Sequence, residues 1–170
     1  MSIQDGHGEY GQPILQAKQT VKSDVFSVTV NNLDWENITG LDVAITPQST
    51  SSKILVMVTI GGWTCPHTNQ RFAFAMKRDT TLIGLAATAG NRVRASVATQ
   101  NFEGGSNGIE NGVAFNFLDS PSTTSSVTYR TCLNAEGNGL TVAINRSDGD
   151  SNNNETFRAC STITAFEIGA

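Results

Sequence analysis

The chain has 170 residues, 38% of them apolar and only 15% charged, with a net charge of −4 at pH 7. That length fits one domain burying roughly 70% of its unfolded surface. An acidic balance without any run of basic residues excludes a polyanion groove, and the longest apolar run, Ile54 to Ile60, is too short to cross a bilayer as a helix.

Residues 1–13, MSIQDGHGEYGQP, are glycine-rich and poor in apolar side chains. They have neither the basic start nor the apolar core of a secretory signal, and are expected to form an arm outside a core spanning residues 14–170. From Ile14 the apolar pattern takes on period two. ILQAKQTV and DVFSVTV are strand candidates, followed by LDVAITP, where Leu41, Val43 and Ile45 alternate with Asp42, Ala44 and Thr46. After the QSTSS turn, KILVMVTI places Ile54, Val56 and Val58 on one face and Leu55 and Met57 on the other. A strand that is apolar on both faces has no side for water. In a two-layer sandwich its second face needs a cover, and a neighbouring subunit supplies one.

RFAFAMKR puts Phe72, Phe74 and Met76 on one face, and TLIGLA and NRVRASVATQ follow as weaker strands. VAFNFL and SVTYRTCL flank a bend, DSPSTTS, in which Asp119 and the hydroxyl side chains satisfy backbone groups while Pro121 ends the pairing. Phe115 and Phe117 are read as pointing inward. GLTVAINR and CSTITAFEI complete the series. About ten strands and no helix imply an all-β fold, an antiparallel β-sandwich of jelly-roll type.

Chemistry-bearing residues are sparse. His67 lies two residues after Cys65, but a zinc site needs four ligands and no second Cys/His pair exists. Cys65, Cys132 and Cys160 form an odd, widely spaced set, read as reduced thiols in a protein assembled in cytoplasm, the last two in strands. DGDSNNNE, residues 148–155, alternates oxygen side chains like a calcium loop, yet Asn153 stands where the turn glycine belongs, so it reads as a solvated loop. Asn37, Asn145 and Asn154 open N-x-[ST] triplets that this composition produces by chance. No pair of carboxylates, nucleophile elbow or phosphate loop selects itself, so no enzyme, cofactor or metal is expected. Binding has better candidates. Trp63 in GGWTCPHTNQ either stacks on a sugar, with Asn69 and Gln70 bonding the hydroxyls, or folds back over the sandwich end. The loop NFEGGSNGIENG, residues 101–112, carries Asn107 and Asn111 and is long enough for recognition.

Taken in order, ILQAKQTV, ITPQSTSSKILVMVTIGG, FNFLDSPSTTSSVTYRTCL, AINRS and STITAFEI together resemble the small β-domain at the carboxyl end of tailed-phage tail-fibre and virion surface proteins, marine and cyanobacterial phages especially. The likeness covers residues 14–170. It implies a homotrimer of jelly rolls similar to the complement and tumour-necrosis-factor heads, on a virion assembled in the host cytoplasm. Leu55, Met57, Tyr129 and Phe166 are the expected subunit contacts. Partners would be other virion proteins, through the arm, and host cell-surface glycans, without nucleic acid or membrane insertion. Fibre proteins carry a shaft before the head, whereas about 13 residues precede the first strand here. That departure raises a capsid decoration, cement or vertex knob protein without a receptor role as the alternative.

Overall fold

The computed structural model describes residues 11–169 apart from 32–33, 68 and 102–107, so most of the expected arm lies outside the described residues. Its strands are β1 (Ile14–Lys22), β2 (Phe26–Val30), β3 (Glu36–Ile45), β4 (Lys53–Ile60), β5 (Trp63–Thr64), β6 (Arg71–Arg78), β7 (Thr81–Ile83), β8 (Val97–Gln100), β9 (Val113–Asp119), β10 (Val127–Ala135), β11 (Leu140–Ile144) and β12 (Ser161–Ile168). No helix occurs among the described residues.

Two sheets face each other, one in the order β1-β12-β4-β9 and one in the order β3-β10-β6-β7, with β8 also paired to β6. Counting only those eight path strands in chain order, the sheets read 1-8-3-6 and 2-7-4-5. That is the strand order of a jelly roll, with every pairing antiparallel. A smaller sheet, β2-β11-β5, closes one end.

The core follows from the alternation. Ile54, Val56, Val58 and Ile60 of β4 are all buried between the sheets, each contributing about 1.5–3 kcal/mol by leaving water. Phe115 points into the same layer and Phe117 packs against it, as the period-two reading expects. Across the layer stand Phe72, Phe74 and Met76 of β6 and Val127, Tyr129 and Leu133 of β10.

Three features depart from the sequence reading. Strand β3 starts at Glu36 rather than Leu41, because its pairing with β10 skips from Asp42 to Asn37 while β10 advances only from Arg130 to Cys132. The extra residues form a bulge in which Ile38 and Leu41 are both buried, and Gly40 turns the chain at φ 81. The two-residue β5 had no alternation to reveal it. Cys132 lies within β10 as expected, but Cys160 precedes β12 and is exposed.

The two ends of the sandwich differ in content. At one end β1 begins and β12 finishes, with Gly169 N–H donating to the Pro13 carbonyl at 2.9 Å and Ile14 opposite Ile168. The chain therefore enters and leaves at this pole. The opposite pole, beyond Ile60, Val113 and Ser161, carries the segments 61–70, 108–112 and 145–160.

Candidate functional site

The segments 61–70, 108–112 and 145–160 are tied together at the pole opposite Pro13 and Gly169. Glu110 N–H donates to Trp63 O at 2.7 Å, Asp148 N–H to Gly108 O at 2.9 Å, and Asn145 N–H to Gly62 O at 2.9 Å. The GlyGly after β4 is required by this convergence. A side chain at Gly61 would run into the Cys160 carbonyl, and one at Gly62 into Ile109.

Two buried carboxamides hold the loops from below. Asn145, in a left-handed conformation at φ 67, donates through Nδ2 to Lys22 O (2.8 Å) and Asp24 O (3.1 Å), and its Oδ1 accepts from Ser161 Oγ (2.7 Å). Its N-x-[ST] triplet is thus inside the protein. Asn101 donates through Nδ2 to Cys65 O at 2.7 Å, while its backbone carbonyl accepts from Asn69 N–H and its N–H donates to Gln70 O.

Trp63 takes the second of its two placements and offers no face to a ligand. It is wholly buried, its ring 4.5 Å from that of Phe72 and 6.3 Å from that of Phe74. The cause is local: β5 pairs with β11 at Ile144 and bridges to Glu110, which turns the indole into the sandwich. Asn69 is exposed and Gln70 half-buried beside Asn101, and Asn111 is exposed on the separate 108–112 segment; Asn107 lies outside the described residues. The Cys65 thiol is pushed up by burial, opposed by a hydrogen bond from the His67 backbone rather than its imidazole.

The 145–160 loop is braced by charge. Asp150 meets Arg158 at 2.6 Å and Arg146 at 3.8 Å, so its carboxylate is neutralised by guanidinium groups. Asp150, Ser151, Asn152, Asn153, Thr156, Phe157 and Arg158 line a cleft of about 390 Å³. Phe157, which sequence reasoning passed over, is 61% exposed. Its one signal was an isolated aromatic inside an Asn/Ser-rich loop.

The flank formed by β1-β12-β4-β9 presents its outer rows to solvent. One row runs Ala17, Phe166, Leu55, Leu118, and the next Gln19, Thr164, Met57, Asn116. Met57 and Leu118 are nearly half exposed, Leu55 and Phe166 partly so, and Val21 more than half. Neither row carries a charged side chain; Lys53, opposite Ile168, brings a charge at the margin. Tyr129 does not belong here. The β10 alternation that points Val127 and Leu133 inward takes Tyr129 with them, and its hydroxyl donates to Asp119 Oδ2 at 2.7 Å. Burial, with the neighbouring Asp119 carboxylate, holds its phenol above the ordinary tyrosine range.

No protein-family model and no curated protein matches the sequence. Among solved structures, the chain is similar to the infectious bursal disease virus VP2 subviral particle, at a TM-score of 0.44 and 9% identity over 99% of this chain and 42% of that one. The T=1 particles derived from the same virus give 0.44 and 10%, covering 100% and 40%. The Gx strain of that virus gives 0.44 and 13%, covering 100% and 42%. The chain thus spans about two fifths of the length of the chains it matches.

Proposed function

We propose that this chain is a bacteriophage virion structural protein: a jelly-roll head displayed as a homotrimer, with its Pro13–Gly169 pole toward the particle and its loop pole toward host surface glycans. The carrying observation is the polarity of the sandwich. The described chain enters and leaves the sandwich at Pro13 and Gly169, and the segments 61–70, 108–112 and 145–160 converge at the other end. On this reading the Pro13–Gly169 pole faces the particle and the loops point away from it. The motif-by-motif resemblance over residues 14–170 supports the same assignment.

The low-charge flank around Leu55, Met57, Phe166 and Leu118 supplies a surface for sister copies. Three weak sites on one head then act together, and linked engagement raises avidity by about 10²–10⁴ without any new contact.

Light scattering on the purified protein is expected to give three times 18.1 kDa. Met57→Glu is expected to give a folded monomer, because Met57 is already nearly half exposed in the single chain. A wild-type monomer at micromolar concentration rejects the trimer. Purified protein is expected to block phage adsorption. Unchanged adsorption, together with fragile capsids when the protein is missing, would replace display by a decoration or cement role.

A further inference from the structure

We propose that the cleft between Asp150 and Arg158 is a carbohydrate subsite, with Phe157 as the stacking platform. This deepens the display reading above by naming the residues that meet the glycan.

A sugar ring offers a weakly apolar face of C–H groups and a rim of hydroxyls that both donate and accept. It is matched by an exposed aromatic face beside neutral amides and a charge pair that already balances itself. The cleft has that composition. Phe157 is 61% exposed and forms one wall, Asn152 and Asn153 bring carboxamides, and Asp150 with Arg158 brings acceptors and donors 2.6 Å apart. Because Arg158 and Arg146 already neutralise Asp150, a metal cation would have to displace them, whereas an uncharged polyol would not. The cleft's volume of about 390 Å³ lies at the small end of ligand sites, suited to one or two rings of a chain.

The platform is held rigidly for an exposed aromatic. Phe157 N–H donates to Ser147 Oγ at 2.9 Å, and Ser147 N–H donates to the Phe157 carbonyl at 3.1 Å. Ser147 itself is fully buried. Across the cleft, Asn153 Oδ1 accepts from Glu155 N–H at 3.0 Å, and Thr156 Oγ1 donates to Ser151 O at 2.5 Å. A site fixed before the ligand arrives loses less entropy on binding.

The test is NMR titration of the full chain with methyl glycosides of glucose, galactose, mannose and N-acetylglucosamine, then with host surface oligosaccharide. At least one of these sugars is expected to shift the resonances of residues 150–158 and to receive saturation transfer from the Phe157 ring. Phe157→Ala is expected to weaken binding about tenfold, and Phe157→Tyr to retain it. Neither change touches the backbone bonds to Ser147. No response at 150–158 to any probe, a response centred elsewhere, or binding unchanged by Phe157→Ala overturns the subsite. Light scattering on the same samples separates the two proposals. A monomer that binds sugar through Phe157 keeps the subsite and loses the trimer, and a trimer without sugar shifts does the reverse.

Discussion

At the pole where the chain enters and leaves, carboxylates hold the bends. Glu167, fully buried at the end of β12, accepts from Gln16 Nε2 and from Gln48 N–H, both at 2.6 Å, and so grips the loop between β3 and β4. Asp119 accepts from Arg78 Nη1 and from the Tyr129 hydroxyl beside the bend between β9 and β10. At the loop pole the same office falls to carboxamides, Asn101 and Asn145, both fully buried. An amide donates and accepts without changing charge across the biological pH range, while a carboxylate accepts at both oxygens only until protonation turns one of them into an O–H donor. The Asn101 and Asn145 ties of the loop pole are therefore independent of pH, even though Asp150 ion pairs also brace its 145–160 loop, whereas the Glu167 and Asp119 ties of the other pole are not.

Asn145 provides the largest test of that contrast. Asn145→Ala removes both donations to Lys22 and Asp24, leaves the Ser161 hydroxyl proton without its acceptor, and leaves an alanine at φ 67. The expected loss in urea unfolding is about 4 kcal/mol, combining buried unpaired groups with left-handed strain. Asn145→Gly, which relieves the strain but restores no bond, is expected to recover about 1 kcal/mol of it. A loss for Asn145→Ala below about 1 kcal/mol would mean that something other than this carboxamide closes the pole.

The acid response separates the poles more sharply. Burial by itself would raise the Glu167 pKa, but the hydrogen bonds from Gln16, Gln48 and Ser49 outweigh it and hold the group below its ordinary 4.5. Between the folded value and 4.5 the unfolded chain binds the extra proton, so this contribution is complete above pH 5 or so and is lost as pH falls through the folded value. Hydrogen exchange is expected to show residues 46–52 losing protection on acidification while residues 145–147 keep theirs. Glu167→Gln is expected to cost about 2 kcal/mol at pH 7 and to flatten the acid dependence of the 46–52 segment. Protection lost at both poles together would erase the distinction.

Most of the sandwich was legible because its strands are long enough to alternate. KILVMVTI showed both of its faces, and FNFLD gave the inward pair of β9, while the inward set of β10 was not drawn from SVTYRTCL. The structure's β10 alternation takes Tyr129 inside, beside Val127 and Leu133, against its expected place at a subunit contact; an aromatic suits an interface only if its strand face is outward. Trp63 could not be placed from its neighbours, since a two-residue strand has no period, and Ile144 and Glu110, which orient it, are distant in sequence. Asn145 was hidden for the same reason, its carbonyl partners lying 123 and 121 positions away. Phe157 was missed because an aromatic in a polar loop looks like a fragment of core until its exposure is known.

The smallest effect asks whether the carboxamide pole opens on its own. Cys65 and Cys132 are both buried, with Cys132 pushed up to about 12 by burial against the partial relief of Lys77, while Cys160 is exposed. Iodoacetamide is accordingly expected to label Cys160 first in the native protein, and the other two only through opening. Asn101→Ala deletes the 2.7 Å bond to the Cys65 carbonyl, about 1 kcal/mol, and is expected to speed Cys65 labelling about fivefold. Cys132 lies mid-strand in β10, away from Asn101, and its rate is expected to stay unchanged. Peptide mass spectrometry reads both rates in one sample. Equal acceleration at Cys132 would show that the substitution loosens the whole sandwich, so that Asn101 stabilises the fold at large instead of one separable pole.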